Sequence, residues 1–247
     1  MRIDILTLFP EMFESFASAS MIGRAVKNGI LDIRTHNIRD YSEDKHKKAD
    51  DYPFGGGRGM LMMPQPVFSC MEALDAYDCR CIYMSPRGKI IDKGILEELA
   101  GEERIVFLAG HYEGVDQRVL DYWGFTELSI GDYILTGGEL PVMVAIDALS
   151  RFVPGVLGDS ACAEEESIYS GLLECSQYTQ PRNFRGHTVP EVLCSGDHKR
   201  IALRNFEDAL RITEERRKDL LEAYLATERT YTKDERKILE KILGFEV

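Results

Sequence analysis

The chain has 247 residues, 44% hydrophobic and 29% charged, which is ordinary globular usage and excludes a disordered or fibrous protein. That length accommodates one large domain or two smaller ones. The formal net charge of −12 argues against a uniformly basic, nucleic-acid-coating surface.

The run from Met1 to Phe9 is too short and too poorly flanked for a secretory leader. The longest apolar stretch, Pro141 to Phe152, is cut by Asp147 and Arg151, so no membrane span is expected and the anticipated location is cytoplasmic. Six cysteines (Cys70, Cys79, Cys81, Cys162, Cys175, Cys194) form no CxxC pair, which points to reduced thiols rather than zinc or disulfides.

In chain order, strands are predicted over Arg2–Phe9, Ile30–Ile38, Arg80–Met84, Arg104–Ala109 and Phe125–Ile130. Helices are predicted near Glu11–Lys27, Pro66–Tyr77, Asp92–Gly101, Asp116–Trp123 and Glu139–Phe152. The runs Cys81-Ile82-Tyr83-Met84 and Ile105-Val106-Phe107-Leu108 read as strands buried on both faces. The expected class is therefore α/β, a mostly parallel sheet covered by helices.

From Pro154 to about Gly171 the pattern breaks into a glycine-bearing, acidic linker. Phe152 to Pro181 has no Lys or Arg and five acidic residues. Arg182 to Arg204 then carries Arg182, Arg185, Lys199, Arg200 and Arg204 against only Glu191 and Asp197, a local basic footprint that phosphates would feel. Leu203, Phe206 and Leu210 share a helix face, and Thr232 with Glu235 forms a capping box before Ile238, Leu239, Ile242 and Leu243. A small all-helical C-terminal domain is predicted. The expected division is 1–157, a linker at 158–172, and 173–247.

Ligands of open α/β sheets sit at the carboxyl ends of strands. Three predicted strand ends are followed by Ser85-Pro86-Arg87-Gly88, by Gly110-His111-Tyr112-Glu113-Gly114, and by the glycine-rich run Gly131 to Pro141. Glycines let backbone approach a ligand closely, so a glycine-lined pocket suits a flat, hydrogen-bonding nucleoside. No GxGxxG, GxxxxGK[ST] or GxSxG pattern occurs in these contexts, which weakens dinucleotide, P-loop and hydrolase readings. A fourth cluster, Gly55-Gly56-Gly57-Arg58-Gly59, has no predicted strand before it and reads as a substrate-contact loop or as a simple turn.

These motifs, with Ser150-Arg151-Phe152-Val153-Pro154-Gly155-Val156, Tyr178-Thr179 and Ser195-Gly196-Asp197-His198, resemble the bacterial tRNA (guanine-N1)-methyltransferases of the SPOUT class over nearly the whole chain. The resemblance implies a trefoil knot at the end of the sheet, a homodimer with shared active sites, and a C-terminal domain that grips the anticodon arm of tRNA. It implies methyl transfer from S-adenosylmethionine to guanine N1 of the nucleotide 3′ of the anticodon, position 37. Mg²⁺ is implied as well, although no dedicated ligand cluster is visible. By resemblance the cofactor contacts fall on Tyr83, Met84, Ser85, Pro86, Gly110, Tyr112, Glu113, Gly114, Ser129, Ile130, Gly131, Asp132, Tyr133, Ile134, Leu135, Gly137, Gly138 and Pro141. Contacts to tRNA are assigned to Gly55, Gly56, Gly57, Arg58, Arg182, Arg185, Lys199, Arg200 and Arg204.

The family's catalytic arginine matches Arg151, and its aspartate base matches Glu166, in Glu165-Glu166-Ser167 where the family pattern reads acid-Asp-Ser. The extra methylene adds about 1.5 Å of reach, enough to matter for alignment. Glu164 and Glu165 are neighbouring substitutes. A binding protein with weakened catalysis, or a SPOUT methyltransferase with another RNA target, stays open as the alternative. Milder departures are Arg58 in place of proline, His111 in place of arginine and Gln180 in place of arginine.

Overall fold

The computed structural model describes residues 1–157 and 167–244, which fall into two compact units, Met1–Ser160 and Ala161–Val247. The first unit is built on a five-stranded sheet of β1 (Arg2–Thr7), β2 (Asp32–Asn37), β5 (Arg80–Ile90), β6 (Arg104–Leu108) and β7 (Thr126–Ser129). Its spatial order is β2-β1-β6-β5-β7, and every pairing is parallel. A parallel sheet must be covered on both faces, and this one is. One face packs Ile3, Ile5, Ile82, Ile105 and Phe107 against α4 (Lys93–Ala100) and α6 (Glu139–Ser150). The other packs Leu6, Cys81, Val106 and Leu108 against α3 (Pro64–Ala73) and α5 (Gln117–Trp123).

Three local departures from expectation have physical causes. The helix predicted over Glu11–Lys27 is three pieces: a 3-10 turn at Pro10–Phe13, α1 (Glu14–Ser18) and α2 (Ser20–Lys27). The Ser18 hydroxyl donates back to the Glu14 carbonyl at 2.7 Å, Ala19 is extended, and a Cβ on Gly23 would lie 2.2 Å from the Ser18 carbonyl oxygen. The break is thus held by a serine competing for backbone and a glycine admitting the close approach. Strand β5 continues six residues beyond Met84. It pairs with β7 on either side of an irregularity between Met84 and Lys89, so Ser85-Pro86-Arg87-Gly88 is a bulge inside a strand rather than a terminal loop. The glycine cluster is also flanked by strand: β3 (Asp50–Asp51) pairs antiparallel with β4 (Leu61–Met62) around it.

In the second unit α7 (His198–Arg216), α8 (Lys218–Ala226) and α9 (Lys233–Leu243) enclose Leu172, Leu210, Leu221, Tyr224 and Leu239. The expected capping box closes α9: Glu235 N–H donates to the Thr232 hydroxyl at 3.3 Å and Thr232 N–H to the Glu235 carboxylate at 2.7 Å. The unit is not all-helical. A hairpin of β8 (Asn183–Phe184) and β9 (His187–Thr188) turns through Arg185 and Gly186, both at positive φ, as a two-residue turn of this hand requires.

Asp4, on the middle of β1, is fully buried and binds Arg2, His36 Nε2 at 2.8 Å and Arg104 Nε at 2.9 Å, tying β2 and β6 to β1. Burial alone would raise its pKa, but the hydrogen bonds from His36, Arg2 and Arg104 outweigh it and hold the carboxyl well below the usual range. Because the folded value is depressed, the carboxylate's stabilisation is present above the unfolded value of 3.8 and is lost as pH falls below it. Asp4→Asn should cost about 3 kcal/mol by urea denaturation at neutral pH, since it removes the buried carboxylate shared by the half-buried Arg2 and Arg104. The gap from wild type should narrow as the pH is lowered below about 4.

Candidate functional site

The bulge of β5 and the segments leaving β6 and β7 meet around a cavity of about 470 Å³, within the range that holds a nucleoside-sized ligand. Tyr83, Met84, Ser85 and Pro86 come from β5 and its bulge. Gly110, Tyr112, Glu113 and Gly114 follow β6, while Ser129, Ile130, Gly131, Tyr133, Ile134, Leu135, Gly137, Gly138 and Pro141 follow β7. Of the expected contact set only Asp132 is absent from the lining. Leu61, Arg87, His111, Val115, Gln117, Leu128 and Thr136 complete it. Arg87, His111 and Thr136 belong to the loops singled out from sequence. Leu61 and Gln117 carried no signal, because it is tertiary packing that brings β4 and the start of α5 to the rim.

Close backbone approach is what shapes the cavity. Gly138 N–H donates to the Gly110 carbonyl at 2.6 Å, and a Cβ on Gly138 would lie 2.6 Å from Gly110 N and 2.9 Å from the Ala109 carbonyl carbon. A Cβ on Gly110 would in turn lie 2.6 Å from the Tyr83 ring. Only hydrogens fit at either crossing. Tyr83 is buried, and desolvation pushes its phenol up, so it stays a neutral hydrogen-bonding group. Tyr112 takes a left-handed φ of 57°, and its hydroxyl accepts from Arg39 at 3.1 Å. These glycine cradles and paired loops suit a flat, hydrogen-bonding ligand of nucleoside size.

Below the cavity Glu139, the first residue of α6, is buried with one carboxylate oxygen accepting from the Thr7 hydroxyl at 2.9 Å. Its other oxygen lies 3.8 Å from His111 Nδ1. The same two residues wall a second, smaller depression with Phe9, Met12 and Leu140.

The glycine loop is exposed, and Phe54 at its tip is 100% exposed. Gly55, Gly56, Gly57 and Gly59 all have positive φ. The loop's return leg is joined to the cavity wall: Glu113 N–H donates to Met60, Met62 N–H to Gly114, and Asp116 N–H to Met62. Gly59 sits over Glu113, where a Cβ would lie 2.4 Å from the Glu113 side chain.

Arg151 forms the C-cap of α6 and is half-buried. Glu166, with Glu164 and Glu165, lies outside the described residues. Among the described residues no group of three or more His, Cys, Asp or Glu is arranged to hold a metal ion.

Of the basic residues expected to meet phosphate, Arg182, Arg185, Lys199 and Arg200 are exposed. Lys199 is 2.9 Å from Asp234, and the Arg185 guanidinium lies over the Phe184 ring. Arg204 is committed elsewhere: it donates to the Ser176 carbonyl at 3.3 Å, lies 3.6 Å from Asp208 and stacks on Tyr178. Its guanidinium is thus engaged by groups of its own unit. The five free thiols among the described residues make no disulfide. No helix among those residues is long and apolar enough to cross a membrane.

The crossing at Gly138 is a tight backbone-to-backbone contact in the cavity wall. Gly138→Ala should lower the thermal midpoint by several degrees, because backbone rather than a flexible side chain must yield. Gly124→Ala should cost less, because only the φ of 64° is strained there and no atom lies within 4 Å of the new methyl. Differential scanning calorimetry of the two variants reads the difference.

A family model described as tRNA (Guanine-1)-methyltransferase TrmD matches residues 1–223. A tRNA (guanine-N(1)-)-methyltransferase of Alkaliphilus oremlandii is 52% identical over 237 residues, 93% of this chain and 95% of the relative. Proteins of the same name from Clostridium acetobutylicum and Clostridioides difficile are 49% and 48% identical, covering 97% and 89% of this chain and 96% and 97% of their own lengths. With its motifs gathered around one cavity and similarity running through both units, the chain belongs to the tRNA (guanine-1)-methyltransferase family.

Proposed function

We propose that this chain transfers a methyl group from S-adenosylmethionine to guanine N1 of the nucleotide 3′ of the anticodon, position 37, in tRNA. The observation that carries the reading is the glycine-walled cavity at the bulge of β5 and the ends of β6 and β7, in a member of this family. The division of labour follows: residues 1–157 hold the cofactor, 158–172 link, and 173–247 bind tRNA. The passage of the segment after β7 directly against the segment after β6 supports a trefoil knot. Exposed Met12 and Leu140, which line a depression with Phe9, and exposed Val144 on α6 support self-association into a homodimer. The proposed location is the cytoplasm, and Mg²⁺ remains a candidate cofactor whose ligands are not assigned.

Bound S-adenosylmethionine supplies an activated methyl on its sulfonium. The residues of the chain then have three tasks. The bulge of β5 and the loops after β6 and β7 fix the donor, so that alignment lowers the barrier. Glu166 removes the N1 proton as the N1 electron pair takes the methyl, and S-adenosylhomocysteine is released. Arg151 stabilises the negative charge that grows on O6 as the proton leaves. A guanine has to be presented unpaired for N1 to be reached.

The direct test incubates the protein with labelled S-adenosylmethionine, Mg²⁺ and a tRNA transcript carrying guanosine at position 37. Label recovered as 1-methylguanosine at that nucleotide is the expected result, and binding of S-adenosylmethionine without transfer would support the binding-protein reading. Glu166→Gln should lower kcat by about a hundredfold or more, and Arg151→Ala by about 10²–10³. Cofactor affinity should change far less in either case. Arg200→Ala should weaken tRNA binding and reduce its salt dependence by about one counterion. Arg204→Ala should instead lower the stability of the second unit, where its guanidinium is engaged. Nitrocellulose filter binding across a salt series and urea denaturation separate the two outcomes.

A further inference from the structure

One buried polar atom at the cavity has no hydrogen-bond partner among the described residues: Nδ1 of His111. It points toward the free oxygen of Glu139 at 3.8 Å, too far for a hydrogen bond and well inside Coulomb range. The other oxygen of Glu139 is fixed by Thr7. Between the two groups lies Gly137, where a Cβ would be 2.5 Å from the Glu139 oxygen and 2.6 Å from His111 Nδ1. A glycine there is therefore what lets imidazole and carboxylate face each other. His111 belongs to the loop after β6 that lines the cavity, and Glu139 opens α6 directly after the cavity-lining Gly137 and Gly138, so the pair joins one cavity wall to the helix start beneath it.

We propose that His111 and Glu139 are positioning residues forming a charge-gated strut. A protonated imidazole draws the loop after β6 onto the start of α6 and tightens the grip on S-adenosylmethionine, and the neutral ring releases it. The inference rests on the cofactor reading above. Imidazole is the ordinary side chain whose charge changes between pH 5 and 8, and the His111 side chain is 25% exposed to solvent. Among the described residues the carboxylate within 4 Å of the ring is that of Glu139. From its own loop comes Tyr112, whose hydroxyl is occupied by Arg39. The end of β1 contributes the Phe9 ring, with centroids 5.0 Å apart, and β4 contributes the Met62 sulfur, which accepts from His111 N–H at 3.3 Å.

Isothermal titration of the full chain with S-adenosylhomocysteine between pH 5.5 and 8 tests this without relying on turnover. Wild-type Kd should rise about three- to tenfold as pH increases, the scale of a single charge-assisted contact. His111→Arg, with a permanent cation, should bind at every pH about as tightly as wild type does at low pH. His111→Gln and Glu139→Gln should bind weakly with no pH slope, although Gln at 139 still accepts from Thr7. In initial-rate assays the change should fall on KM for S-adenosylmethionine more than on kcat. A flat wild-type profile, or an undiminished slope in His111→Gln, would overturn the strut while leaving the cofactor reading intact. A wild-type protein that bound no S-adenosylhomocysteine would overturn both.

Discussion

The hydrogen bond from Gly138 to the Gly110 carbonyl, 2.6 Å long, lets two stretches of main chain lie against each other with no side chain between them. Strand β6 delivers Gly110 from the centre of the sheet, and α6 begins one residue after Gly138. The contact therefore links the middle of the sheet to the helix that covers it. The cavity wall, the placement of Glu139 against Thr7 and the position of Arg151 at the far end of α6 all inherit their geometry from it. In a close-packed interior such a crossing leaves little room for small adjustments.

The acidic balance and the proposed nucleic-acid partner are reconciled by where the charges lie. Carboxylates such as Glu207 and Asp208 are engaged by Lys241, Arg211 and Arg204 within the second unit, whereas Arg182, Arg185 and Arg200 are exposed. Net charge describes the far field, but phosphate recognition depends on the near one. Arg204 shows why spacing alone misleads. It lies one helical turn from Arg200, yet its partners are a carbonyl, a carboxylate and a tyrosine ring.

The central strands of the sheet were legible in the sequence because strands buried on both faces, such as Ile105 to Leu108, leave continuous apolar runs. The cavity was legible because glycines at successive strand ends have few other uses. The family resemblance supplied what periodicity does not, the individual contact positions. What escaped was tertiary in origin. The bulge in β5 hid behind Pro86 and Gly88, which ordinarily end a strand. The hairpins β3–β4 and β8–β9 have strands of only two residues, too short for any period to register. The break at Ala19 depends on a serine turning back on its own helix, which the apolar spacing of that segment does not encode.

The glycine loop has a consequence for how a ligand on it and a ligand in the cavity would influence each other. Its return leg is hydrogen-bonded to the segment from Glu113 to Asp116, and Gly59 rides on the Glu113 side chain, which itself lines the cavity. A molecule that stills the loop, with its exposed Phe54 and string of positive-φ glycines, also restrains one wall of the neighbouring cavity. Entropy lost on the first binding event need not be lost again on the second. Linkage makes the effect reciprocal, so whatever factor the occupied cavity adds to the affinity of the loop's ligand, that ligand returns in full.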